Sequence, residues 1–116
     1  MSTFSDPDAD LSPERAAELL GRGQAELIDV REPYEHEAGH IAGARHIPLE
    51  RLASEAETIP RDHRVVFQCR LGARSAMATR AFRAAGYDAY NMQGGLRAWV
   101  DRGLPLVPEG GFVADH

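Results

Sequence analysis

The sequence has no lysine: all 13 of its basic residues are arginine. A Schiff-base lysine and the phosphate-binding lysine of a Walker-type loop are therefore excluded. Cysteine is nearly absent as well, with Cys69 alone. One cysteine makes no internal disulfide, no CxxC redox pair and no four-thiolate zinc site. No apolar run approaches the ~18 residues of a transmembrane helix. Nor does a signal-peptide h-region follow Met1, since the first ten residues carry Asp6, Asp8 and Asp10 instead. A cytoplasmic location away from membranes is the expectation. Positive charge is in deficit, with a net charge of -5, which argues against nucleic-acid binding. There is no internal repeat and no low-complexity segment.

The 116 residues present support one domain. Area scaling predicts that about two thirds of the unfolded surface is buried, enough for a core without metal or disulfide. Residues 1–10 read as a flexible acidic leader, 11–106 as the globular body, and 107–116, with Pro108, Gly110 and Gly111, as an irregular tail.

Within the body, Ser12-Pro13-Glu14 is a helix start: an N-cap serine, proline at the first helical position and an acid in the first turn. Ala16, Leu19 and Leu20 supply its apolar face, and Gly21 or Gly23 ends it. Leu27 to Val30 reads as a buried strand, and Ala44 to Ile47 as another. Leu49, Leu52, Ala53, Ala56 and Ile59 recur at helical spacing until Pro60. Val65 to Gln68 is a continuous apolar strand of the parallel-sheet kind. Ser75 to Ala85 is expected as a helix with Met77, Ala78, Ala81, Phe82 and Ala85 inward, closed by Gly86. Ala89 to Met92 follows as a strand, and Leu96, Trp99 and Val100 mark a last helix before Gly103. The alternation predicts an α/β fold: an open, mostly parallel sheet of about five strands with helices on both faces.

The chemically informative stretch is Cys69-Arg70-Leu71-Gly72-Ala73-Arg74-Ser75. It lies between a buried strand and an amphipathic helix, where open α/β sheets bind ligands. Gly72 frees the backbone to turn its amides toward one point, and the helix N-terminus adds its dipole. A sulfur anion at Cys69 would lie in that cradle, flanked by Arg70 and Arg74. The plainer reading makes Cys69 a small buried hydrophobe, but an inert thiol needs neither two arginines nor a glycine beside it.

This loop resembles the active-site loop of the rhodanese (thiosulfate:cyanide sulfurtransferase) superfamily, in its single-domain form. Two further stretches carry the resemblance. Leu27-Ile28-Asp29-Val30-Arg31-Glu32-Pro33-Tyr34-Glu35, with Gly39-His40-Ile41-Ala42-Gly43-Ala44 and Ile47-Pro48, is similar to the family's N-terminal signature. Gly94-Gly95-Leu96, Ala98-Trp99 and Gly103-Leu104-Pro105 are similar to its C-terminal one. The resemblance implies that Cys69 takes up sulfane sulfur as a persulfide, that the amides from Arg70 to Ser75 cradle it, and that no cofactor or metal is needed. It implies that Arg70 and Arg74 bind an anionic donor or support the loop, and that Asp29 and Arg31 form a buried structural pair. The partners implied are a small anionic sulfur donor, a thiol or cyanide acceptor, and a sulfur-relay protein. His46 and Ala42 stand where the family commonly has Asn and Pro. Leu71 stands where a small or polar residue is common, which bears on the donor.

His36-Glu37-Ala38-Gly39-His40 matches the H-E-x-x-H zinc-protease pattern literally. That chemistry needs a stable helix, and Pro33, Gly39 and Gly43 deny one; a short turn with His40 bonded to backbone is expected instead. Asp29 could act as a general acid or base, but a carboxylate held by Arg31 or by loop amides is the simpler expectation. Three further functions compete with sulfur transfer: a cysteine phosphatase or arsenate reductase of related fold, a non-catalytic module of the same fold, and the zinc hydrolase. The phosphatase loop places its arginine after five intervening residues, whereas four separate Cys69 from Arg74.

Overall fold

The computed structural model describes residues 8–116. In chain order the elements are β1 (Asp10–Leu11), α1 (Pro13–Gly21), β2 (Ala25–Asp29), α2 (Pro33–Ala38), β3 (Arg45–His46), α3 (Leu52–Glu55), β4 (Arg64–Gln68), α4 (Ala73–Ala84), β5 (Ala89–Met92) and α5 (Gly95–Asp101). Single 3-10 turns, Leu49–Arg51 and Ala56–Thr58, flank α3. The strands form one parallel sheet in the order β1-β5-β4-β2-β3.

The strands are apolar on both sides because both sides are covered. In the β2–β4 register Leu27 lies opposite Val66 and Ile28 opposite Phe67. Leu27 and Val66 face one layer, with Ala16 and Leu19 of α1 and Leu96 and Trp99 of α5. Ile28 and Phe67 face the other, with Leu52 of α3 and Ala78 and Phe82 of α4. Each fully buried Leu, Ile or Phe contributes roughly 1.5–3 kcal/mol, so the sheet is clamped from both faces. The Ser12 hydroxyl accepts from the Arg15 amide at 3.0 Å, capping α1 where proline begins it. Among the described residues no helix is long and apolar enough to cross a membrane.

Four departures from the sequence reading have physical causes. The expected leader falls mostly on residues 1–7, outside the described residues. Its last part is ordered: the Ala9 carbonyl accepts from the Asn91 amide at 2.7 Å and Asp10 belongs to β1. The segment 49–59 is not one helix but three short turns, with Leu52 and Ile59 still inward. Helix α4 starts two residues early and buries Ser75, Ala76, Ala78, Thr79 and Phe82, while Met77, Ala81 and Ala85 are exposed. Its first turn must face the cysteine loop, which fixes the phase, and Thr79 meets its own need by donating to the Ser75 carbonyl at 2.8 Å. The segment 107–116 has no helix or strand, yet Val113 and Ala114 are buried.

Candidate functional site

The chain leaves β2 toward β3 on one side and β4 toward β5 on the other. The carboxyl ends of β2 and β4, paired at Asp29 and Gln68, therefore form the crevice where such sheets bind ligands. Cys69 follows β4 directly. A hollow of about 220 Å³ opens there, lined by Cys69, Arg70, Leu71, Ala73, Arg74 and His116. Cys69 is 1% exposed, at the floor of the hollow, and Leu71 is exposed. A larger groove of about 470 Å³, with Leu20, Ile41, Trp99 and Leu104 in its wall, is apolar and holds no nucleophile.

Three donors converge on the sulfur. The Gly72 amide donates to Cys69 Sγ at 3.1 Å, the Ser75 amide at 3.5 Å and the Ser75 hydroxyl at 3.3 Å. The loop can turn this way because Gly72 takes φ +106° as the residue capping α4, a conformation a side chain resists. Its outward carbonyls are satisfied from behind by α5: the Leu96 amide donates to the Cys69 carbonyl at 2.8 Å and the Arg97 amide to that of Arg70 at 3.1 Å. This close approach explains the second glycine of the Gly94-Gly95 pair. A Cβ on Gly95 would stand 2.5 Å from the carbonyl oxygens of both Cys69 and Arg70.

The two arginines of the loop have different partners. Arg74 grips Glu35 with both arms, Nη1 to Oε1 at 2.8 Å and Nη2 to Oε2 at 3.0 Å. Glu35 is fully buried and also accepts the Glu32 amide at 3.0 Å. Burial pushes the Glu35 carboxyl up, but the Arg74 hydrogen bonds and charge outweigh it, and the group ends below its ordinary 4.5. For Arg74, burial pulls down while Glu35, then the charges of Cys69 and Asp29, push up; the guanidinium ends above its ordinary value. Arg70 reaches instead toward the far end of the chain, donating from Nη2 to Asp115 Oδ1 at 3.1 Å.

Asp29 and Arg31, both fully buried, form a two-armed pair: Nε to Oδ1 at 2.9 Å and Nη2 to Oδ2 at 2.7 Å. The Arg31 amide adds a bond at 3.0 Å, and Nη2 also donates to the Gly39 carbonyl at 2.8 Å. Burial raises the Asp29 carboxyl, yet its bonds from His36 and Arg31 outweigh that and hold it well below the carboxylate range. The pair staples the loop after β2 to the end of α2 and lies apart from the hollow's lining.

The H-E-x-x-H stretch falls on a six-residue helix and the two extended residues after it, of which His40 bridges to Val107. The His36 and His40 rings stack at 3.8 Å, and His46 stacks on the other side of His36 at 4.3 Å. His36 Nδ1 donates to Asp29 Oδ2 at 2.8 Å, His40 Nδ1 to the His36 carbonyl at 2.7 Å, and His46 Nε2 to the Arg31 carbonyl at 2.8 Å. Stacked rings do not aim lone pairs at a common point. Among the described residues no group of three or more His, Cys, Asp or Glu is arranged to hold a metal.

Sequence reasoning assigned no role to Glu35, Asp115 or His116. Glu35 stands 39 residues from Arg74 and Asp115 stands 45 from Arg70, so no local spacing signals either pair. For Glu35 the only signal is its place at the end of the signature-like stretch Leu27 to Glu35.

A model of the rhodanese-like domain family matches residues 12–102, most of the chain. The chain is 44% identical over 80 residues to Uncharacterized protein YqhL of Bacillus subtilis (strain 168), covering 68% of this chain and 64% of that protein. It is 41% identical over 86 residues to a protein of Allochromatium vinosum described as a sulfurtransferase, covering 72% and 80%. A solved structure of a rhodanese-related protein from Thermoplasma volcanium superposes with a TM-score of 0.79 at 28% identity, covering 84% of this chain and 96% of that one.

Proposed function

This chain belongs to the rhodanese-like domain family, and from that membership we propose that it is a sulfurtransferase working through a persulfide on Cys69. The observation that carries the reading is the convergence of two amides and one hydroxyl on Cys69 Sγ at the floor of an open hollow. Hydrogen-bond donors aimed at a site of negative charge stabilise that charge without reorganising. The thiolate attacks the outer sulfur of thiosulfate, or of a persulfide donor. The donor's S–S bond breaks, and sulfite, or the donor thiolate, leaves with the electron pair. The terminal sulfur of the new Cys69 persulfide then holds the negative charge within reach of the same donors. Cyanide or a thiolate attacks that sulfur, the new S–S bond breaks, and the Cys69 thiolate returns. The proposed setting is the cytoplasm, where a lone thiol stays reduced; a sulfur-relay protein would serve as donor or acceptor.

Two observations favour sulfur transfer over phosphate chemistry. A persulfide adds one atom to the thiolate, whereas a phosphoryl group brings three oxygens that each need donors. Only four residues separate Cys69 from Arg74, and Arg74 is already bound through both arms to Glu35. Intact mass after incubation with thiosulfate tests the proposal. One sulfur atom should be added and then removed by cyanide, and Cys69→Ser should gain none. Wild-type mass unchanged by both thiosulfate and an alkyl persulfide would overturn it.

A further inference from the structure

Beyond residues 12–102, which the family model matches, the segment 107–116 crosses the carboxyl edge of the sheet. Val107 pairs with His40 in an antiparallel bridge, and the Phe112 amide donates to the Ala38 carbonyl at 3.0 Å. Burial of Val113 and Ala114 fixes the next stretch. Asp115 thereby meets Arg70 and His116 becomes part of the hollow's wall. The anchoring matters, because Asp115 itself is almost fully solvated (95% side-chain exposure) and would not hold a position alone.

We propose that Asp115 sets the donor class of this site by masking the positive charge of Arg70. The proposal rests on the sulfur-transfer reading given above. Arg74 is neutralised by buried Glu35, which leaves Arg70 as the loop cation able to attract an anion. With Asp115 paired to it at 3.1 Å, the charge of Arg70 is offset at the mouth. A doubly charged donor such as thiosulfate loses more from this than a donor with one negative charge or none, because the attraction scales with donor charge. The strap therefore favours alkyl persulfides over the thiosulfate dianion. An exposed ion pair is a modest device, so the discrimination is about two- to fivefold per unit of donor charge.

The test compares alkylation of Cys69 by iodoacetate, an anion, and by iodoacetamide, its neutral analogue. Taking the ratio of the two rates cancels any change in the intrinsic nucleophilicity of the thiol. At low ionic strength Asp115→Asn should raise the iodoacetate-to-iodoacetamide ratio about two- to fivefold. Asp115→Glu should keep the wild-type ratio, and about 1 M salt, where screening acts within ~3 Å, should erase the difference. Thiosulfate loading by intact mass should accelerate in Asp115→Asn by more than loading from an alkyl persulfide. A ratio unaltered by Asp115→Asn at low salt would overturn the masking, whatever the protein transfers. Failure of both variant and wild type to take up sulfur from any donor would instead overturn the sulfur-transfer reading, and the donor-class statement with it, while the alkylation ratio would still report on the mask.

Discussion

Two arginines four positions apart do different work because of what lies opposite each. Arg74 is paired with a carboxylate that has no access to water, so removing it leaves Glu35 buried and charged. Breaking one side of such a pair costs about 3 kcal/mol, equivalent to a Tm loss of roughly 10 °C or more in a chain of this size. Arg74→Ala should therefore lower Tm by that amount and lower kcat with it, since the same side chain holds the loop that carries Cys69. Arg70 is paired with an exposed carboxylate, and Arg70→Ala should shift Tm by only ~2–4 °C or less. Calorimetry of the two variants checks this; equal shifts would show that the division of roles is wrong. Neither partner was legible in the sequence, although both arginines were, because a pair 39 or 45 residues apart is created by topology rather than by spacing.

At the scale of elements, α5 and the cysteine loop are one unit. The backbone of Gly95 lies against the carbonyls of Cys69 and Arg70 at a separation only a hydrogen side chain permits, and its φ of +63° adds to the constraint. Gly95→Ala should destabilise the protein by about 2–4 kcal/mol, from overpacking and left-handed backbone together. Gly21→Ala, where a Cβ meets nothing within 4 Å, should instead be neutral or gain a few tenths of a kcal/mol. Denaturant midpoints of the pair would measure the contrast. The elements themselves were largely legible: Ser12-Pro13 marks α1, and the apolar runs mark β2, β4 and β5. The phase of α4 was not, since alanines lie all round it and the choice fell to the polar Ser75, whose hydroxyl is drawn to the Cys69 sulfur.

For the whole molecule, acid is the condition that reads the buried charges. Asp29 and Glu35 both end below their ordinary values of 3.8 and 4.5. A carboxyl depressed by folding contributes stability that is present above its unfolded value and lost as pH falls toward the folded one. Tm should thus be flat toward neutral pH and begin to fall below about pH 4.5, with Glu35→Gln starting lower and declining less steeply. A scan of Tm against pH in which wild type and Glu35→Gln run parallel would refute this. The general α/β plan was readable from alternating strands and helices; the ordered strap over the hollow was not, since Pro108, Gly110 and Gly111 resemble any loose end. The sheet's two flanks have a further consequence. β1 and β3 are strands of two residues each, so among the described residues the long strands are all interior. A neighbouring chain seeking free amides and carbonyls to extend finds two residues' worth on either side, too short a template for fibril growth.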